Sequence, residues 1–113
     1  MIRKTRVRTY SPYSRDAVSL LGGLIRSARL VKKMPIQEVA DRAGVSRGLL
    51  QRIEKGDMKC EIGVVFEIAH LVGIPLFVPD HADLKRQLSY TNEKLALLPK
   101  SARARKSNIY DEF

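Results

Sequence analysis

The chain has no tryptophan, one cysteine and two histidines in 113 residues, and each scarcity removes a class of protein. A lone Cys60 excludes a disulfide framework within the chain and leaves a cysteine-based metal site without partners. His70 has no second histidine four residues on, and no HExxH spacing occurs, so no zinc pair forms. His70 reads instead as a structural or partly exposed helix residue. Cys60, His70 and His81 make no nucleophile-base-orienter grouping, and no glycine-rich phosphate loop is present. An enzyme is therefore not expected, nor is a metal, a cofactor or a small-molecule substrate. No run of 18 or more apolar residues exists, which excludes a spanning helix. The basic start, Met1 to Arg8, has the charge of a signal peptide without an apolar stretch behind it, which points to a cytoplasmic protein.

Acidic residues are also few. Twelve Asp and Glu face 21 Lys and Arg, a net charge of +9, and the excess is uneven. Residues 1–33 hold nine basic residues against Asp16; residues 34–79 hold five against six; residues 80–113 hold seven against five. A basic lead-in, with Arg3, Lys4, Arg6 and Arg8 in its arm, suits phosphate contacts or an arm laid in a minor groove. A solubilising tail is the equal alternative. The alternation from Thr5 to Tyr10 also permits a short strand that pairs between subunits. With 44% apolar content, the chain can build one modest core with tails.

The most informative stretch is Ile36 to Gly56. Ile36, Val39, Ala40 and Ala43 fall at i, i+3, i+4 and i+7, which gives a helix one apolar face, with Gln37, Glu38, Asp41 and Arg42 toward water. Gly44 ends that helix, since glycine takes the left-handed conformation that redirects a chain. Val45 is an anchor and Ser46 an N-cap for a second helix of about Arg47 to Lys55, which Gly56 closes. Leu50 and Ile53 form its apolar stripe, leaving Arg47, Gly48, Gln51, Arg52 and Lys55 outward. A major groove admits one such helix, and arginine bonds guanine bidentately as glutamine does adenine. Arg47, Gly48, Gln51 and Arg52 are thus candidate base contacts, Gly48 leaving room for close approach. Ser46, Lys55, Arg26, Lys32, Lys33 and Gln37 are candidate phosphate contacts.

Leu20 to Gly73 resembles the Cro/C1-type (XRE) helix-turn-helix family. The resemblance rests on Ile25, Arg26, Ala28 and Arg29, on Glu38 to Arg47, and on the Arg-Ile-Glu-x-Gly closure from Arg52 to Gly56. It implies an all-α, five-helix lambda-repressor-like domain (residues 14–98), with a flexible basic arm (1–13) and a flexible tail (99–113). It also implies a homodimer on double-stranded operator DNA. Two features depart from the family pattern. Pro35 and Ile36 replace the usual serine or threonine followed by glutamine, which puts phosphate contact by Gln37 in question. Leu49 and Gln51 replace small polar residues, so that Leu49 is placed to meet a thymine methyl.

The flanks complete the layout. Ser11-Pro12 or Ser14 caps a first helix running to about Lys32 on Leu21, Leu24, Ile25 and Ala28. Gly22-Gly23 weakens it unless another helix crosses closely there. Arg29, Lys32 and Lys33 gather at its end, where they complement the helix dipole or face a phosphate strand. Pro35 opens the next helix at its first position. After a polar loop, Ile62, Val65, Phe66 and Ala69 give a fourth helix ending near Gly73. Gly73 to Pro79 is an extended apolar connector on the core or part of a patch that a partner covers. Asp80 caps a fifth helix, residues 81–98, whose Leu84, Leu88, Leu95 and Leu98 make a heptad seam for its own domain or a symmetry mate.

From Pro99 a basic run leads to Ile109, Tyr110 and Phe113 beside two acids, a tail that is either a solvated end or a docking motif ordered by a protein partner. Val65 to Phe77, Leu95 to Pro99, the basic linker and this acidic-aromatic end together look like HipB-like antitoxins. That resemblance implies a HipA-type Ser/Thr kinase toxin as partner and a cytoplasmic, nucleoid-associated autoregulator. With no tryptophan, a mechanism relying on a terminal tryptophan is closed to this chain. Rival readings are a kinase-inhibiting or scaffolding module, a stand-alone phage-type repressor, and a non-specific RNA or chromosome binder. The last fits the charge but not the recognition helix.

Overall fold

The computed structural model describes residues 8–102. The chain divides into two units, Met1–Phe77 and Val78–Phe113. Among the described residues there are five helices and no strand: α1 (Pro12–Val31), α2 (Ile36–Ala43), α3 (Arg47–Glu54), α4 (Ile62–Leu71) and α5 (His81–Leu97). This is an all-α helix-turn-helix fold, and no described helix is long and apolar enough to cross a membrane.

Local chemistry sets the helix starts. Ser11 Oγ accepts the Ser14 N–H at 3.2 Å ahead of α1, and Ser46 Oγ accepts the Leu49 N–H at 3.0 Å ahead of α3, each relieving a free amide of the first turn. Pro35 stands at the N-cap of α2 and not, as expected, at its first helical position. Its carbonyl takes the amides of Glu38 and Val39, so the proline ring lies outside the helical turn.

The ends of α1 to α4 share one geometry. A left-handed residue follows each helix: Lys33 (φ 57°), Gly44 (φ 70°), Gly56 (φ 82°) and Gly73 (φ 87°). The next residue then donates its amide five positions back: Met34 to Arg29 O and Val45 to Ala40 O at 3.0 Å, Asp57 to Arg52 O at 3.0 Å, and Ile74 to Ala69 O at 2.8 Å. This is the Schellman closure, which brings the residue after the turn against the one five positions back. Met34, Val45 and Ile74 pack against the core.

That core is Ile25 of α1, Val39 and Ala40 of α2, Leu50 and Ile53 of α3, and Ile68, Ala69 and Val72 at the end of α4. The α2 stripe is as the spacing predicts, with Ile36 and Ala43 half-buried at its edges. Two other stripes depart in part. On α1 Ile25 is buried and Leu21 and Ala28 pack against the core as the spacing predicts, Gly22 and Arg29 join the buried side, and Leu24 is exposed. On α4, Ile62 is 69% exposed, and the inward set is Val65, Ile68, Ala69 and Val72. Ile62 to Leu71 is apolar almost all round, so periodicity cannot select its face and packing against α2 does.

Gly22 explains the close crossing of α1 over α3. A β-carbon there would sit 2.4 Å from Ile53 O, whereas one at Gly23 would meet nothing within 4 Å. In the connector, Ile74 and Leu76 are half-buried against the core, while Phe77 (φ 69°) is 82% exposed. Its ring meets Phe66 edge-on at 6.3 Å. The second unit holds α5. Asp80 Oδ1 accepts the Ala82 N–H at 3.1 Å, the helix stops at Leu97, and none of its residues is buried.

Candidate nucleic-acid interface

An outward-facing reading helix works only if its inner face is fixed. Leu50 and Ile53 of α3 are in the core, and Gly22 admits the α3 backbone against α1. The third anchor is ionic. Arg29 donates Nε to Glu54 Oε2 at 2.7 Å and Nη2 to Glu54 Oε1 at 3.0 Å, while its Nη1 bonds Met34 O at 3.1 Å. Both residues are buried. The bond to Glu54 raises the Arg29 pKa against the opposing effect of burial.

With that face committed, Arg47, Gly48, Gln51, Arg52 and Lys55 are all exposed on α3 and at its end. Nothing but Ser46 Oγ, at 4.0 Å, would be near a side chain at Gly48. Ser46 spends a lone pair on the cap, and its hydroxyl proton remains able to meet a phosphate. The surface offers two guanidinium forks, an amide, an ammonium and a gap in the side-chain layer, which is suited to base edges flanked by phosphates.

Other candidates are placed differently. Arg29, read as a possible phosphate contact, is buried against Glu54. Arg26 is exposed, with Nε 3.9 Å from Glu54 Oε1 at the rim of the same cluster. Lys32 donates Nζ to Val72 O at 2.7 Å, tying the end of α1 to the end of α4. Lys32 is exposed, and this bond uses one of its three ammonium donors. Lys33 is exposed. Gln37 is exposed and donates to Asp41 Oδ1 at 2.9 Å, a bond within α2 that it must share or release to reach a phosphate. Leu49, read as a thymine contact, is half-buried, with part of its side chain against the core. Arg8 is exposed; Arg3, Lys4 and Arg6, and the docking candidates Ile109, Tyr110 and Phe113, lie outside the described residues.

One residue of the surface escapes sequence inspection. Asp57 Oδ2 accepts Arg52 Nε at 2.8 Å, and Asp57 Oδ1 accepts the Lys59 N–H at 2.8 Å. The Lys59 amide first, and Arg52 next, hold the Asp57 carboxyl below its ordinary range, and Asp57 in turn raises the Arg52 pKa. The available signal was Gly56, whose closure sets residue 57 against residue 52. Nearby, burial and secondarily Asp57 push the Cys60 thiol up. Among the described residues no three His, Cys, Asp or Glu side chains are grouped to hold a metal ion.

A buried two-helix corner with a capped, polar-faced second helix is the layout of a helix-turn-helix. In agreement, residues 25–78 match the helix-turn-helix family model, from Ile25 in α1 to the residue after Phe77. No curated protein and no solved structure matched the chain.

Proposed function

We propose that the chain is a sequence-specific transcriptional repressor that inserts α3 into the major groove of its operator. The observation that carries this is the division of α3. Leu50, Ile53 and Glu54 are buried, while Arg47, Gly48, Gln51 and Arg52 are exposed together. Arg47, Gln51 and Arg52 address base edges, and Ser46, Lys55 and Lys33 the phosphates beside them. A recognition helix of eight residues spans few base pairs, so a homodimer on a two-fold operator supplies the remaining specificity.

The test is a titration against a duplex from the protein's own upstream region and a scrambled duplex, at two salt concentrations. Base readout gives a preference of about 10³-fold or more that persists as salt rises. Equal affinities that collapse together would reduce binding to the basic arm.

At a finer level, the chain acts as an autoregulating antitoxin beside a HipA-type kinase. Support comes from Val65 to Phe77, Leu95 to Pro99 and the acidic-aromatic residues Ile109, Tyr110 and Phe113. Removing residues 100–113 should abolish binding to the kinase while leaving operator affinity intact. Retained kinase binding would move the docking site off the tail, and no kinase binding by the full chain would favour the stand-alone repressor.

A further inference from the structure

The four Schellman closures are alike in backbone and unlike in one side chain. The position after the left-handed residue is Met34, Val45 or Ile74 in three of them, each packed against the core. In the fourth it is Asp57. An apolar contact ordinarily accompanies this closure, because the fold brings the two residues together whatever they are. Here that enforced contact joins a carboxylate to Arg52 on the outer face of the reading helix.

Arg52 is therefore linked twice to Asp57: its carbonyl accepts the Asp57 amide at 3.0 Å, and its Nε donates to Asp57 Oδ2 at 2.8 Å. Asp57 is itself held by the Lys59 N–H. Among the described residues, no acceptor bonds either Nη of Arg52. A guanidinium presents donors in a rigid planar fork, so seizing Nε restricts rotation of that plane while the two Nη groups stay available as a pair. A pair of parallel N–H donors is what the O6 and N7 of guanine require.

We infer that Asp57 is a specificity-determining positioning residue, which orients Arg52 so that its two Nη groups meet one guanine end-on. Asp57 touches no base itself. The inference rests on the proposed operator reading by α3.

The experiment uses the full chain and its upstream duplex, together with duplexes carrying each single base-pair change. Wild type, Arg52→Ala, Asp57→Ala, Asp57→Asn and the double variant Arg52→Ala/Asp57→Ala are titrated, with thermal melts to confirm folding. Arg52→Ala should lose discrimination of about tenfold or more at one G·C pair. Asp57→Ala should lose discrimination at that same pair and no other, and should add nothing to the double variant. Asp57→Asn, whose amide oxygen still accepts a hydrogen bond, should recover part of it and keeps the test alive should Asp57→Ala not fold. The inference is overturned if Asp57 variants change affinity equally on every duplex, or tighten binding generally by removing a negative charge. It is also overturned if the two alanine effects are additive. Should wild type fail to distinguish its upstream duplex from a scrambled one, operator reading fails and this role falls with it. Discrimination lost in Arg52→Ala but kept in both Asp57 variants overturns the role of Asp57 alone.

Discussion

Arg29 and Glu54, 25 positions apart, form a buried bidentate ion pair that fastens the last turn of α1 to the last turn of α3. Removing one partner of a buried pair strands the other charge and costs about 3–5 kcal/mol. Glu54→Ala should therefore lower the unfolding free energy by roughly 3 kcal/mol in a denaturant titration. Arg29→Met/Glu54→Leu should recover most of the loss. A double variant no more stable than the single would refute this account of the pair.

Gly22 and its neighbour Gly23 should respond oppositely to alanine. At Gly22 a methyl group collides with the Ile53 carbonyl, and overpacking of this kind costs roughly 1–3 kcal/mol. At Gly23 there is open space, so relief of the glycine penalty should stabilise by up to about 1 kcal/mol. Paired thermal melts check both signs. Because Gly22 sets the height of α3 over α1, Gly22→Ala should also weaken operator binding.

Gly48 separates stability from recognition. No protein group needs a glycine there, so Gly48→Ala should stabilise the helix by roughly 0.5–1 kcal/mol. If the gap admits DNA, operator affinity should nevertheless fall. A variant that is more stable and binds the operator unchanged would remove Gly48 from the interface.

Lys33 poses the same conflict. It takes a left-handed conformation (φ 57°) where the three other closures use glycine, at an expense of roughly 1–2 kcal/mol. Lys33→Gly should stabilise the fold by about that amount and, if the ammonium meets a phosphate, reduce the salt slope of DNA binding by about one. An unchanged salt slope would leave the strained lysine without a role in DNA binding.

Asp57 gives a pH dependence with a definite sign. Its folded-state pKa lies below the ordinary 3.8 because the Lys59 amide and Arg52 favour the carboxylate. The folded state therefore releases its proton more readily than the unfolded chain. The resulting stabilisation is fully present above about pH 4–5 and is lost as pH falls through the lowered value. In acid titrations, the advantage of wild type over Asp57→Asn should be flat near neutrality and shrink below about pH 4. A constant difference across that range would count against the bond to Arg52.

Local signals carry far in this chain. Ser11 and Ser46 mark helix starts, Gly44, Gly56 and Gly73 mark ends, and α2 shows its buried face in its spacing, because caps and amphipathic periods are properties of a few adjacent residues. The outward set Arg47, Gly48, Gln51, Arg52 and Lys55 follows from the same periodicity. The inner faces of α1 and α4 follow only in part, with Leu21, Ile25, Ala28, Val65 and Ala69 inward as expected and Leu24 and Ile62 not. Several apolar stripes compete there, and only the packed neighbours choose Ile25 over Leu24 and Val72 over Ile62.

Tertiary structure also decided which charges are available. Arg29, Arg26, Lys32 and Lys33 form one basic cluster in the sequence. In the fold Arg29 is buried on Glu54, Arg26 sits at the rim of that pair, Lys32 bonds the Val72 carbonyl, and Lys33 alone of the four faces outward with no side-chain bond to a described residue. Composition therefore determined that the protein is basic, and local spacing that it is helical with a polar outward face on α3. Which cations remain to meet a polyanion depended on where distant acceptors came to lie, because a partner brought from 25 or 40 positions away leaves no trace in local spacing.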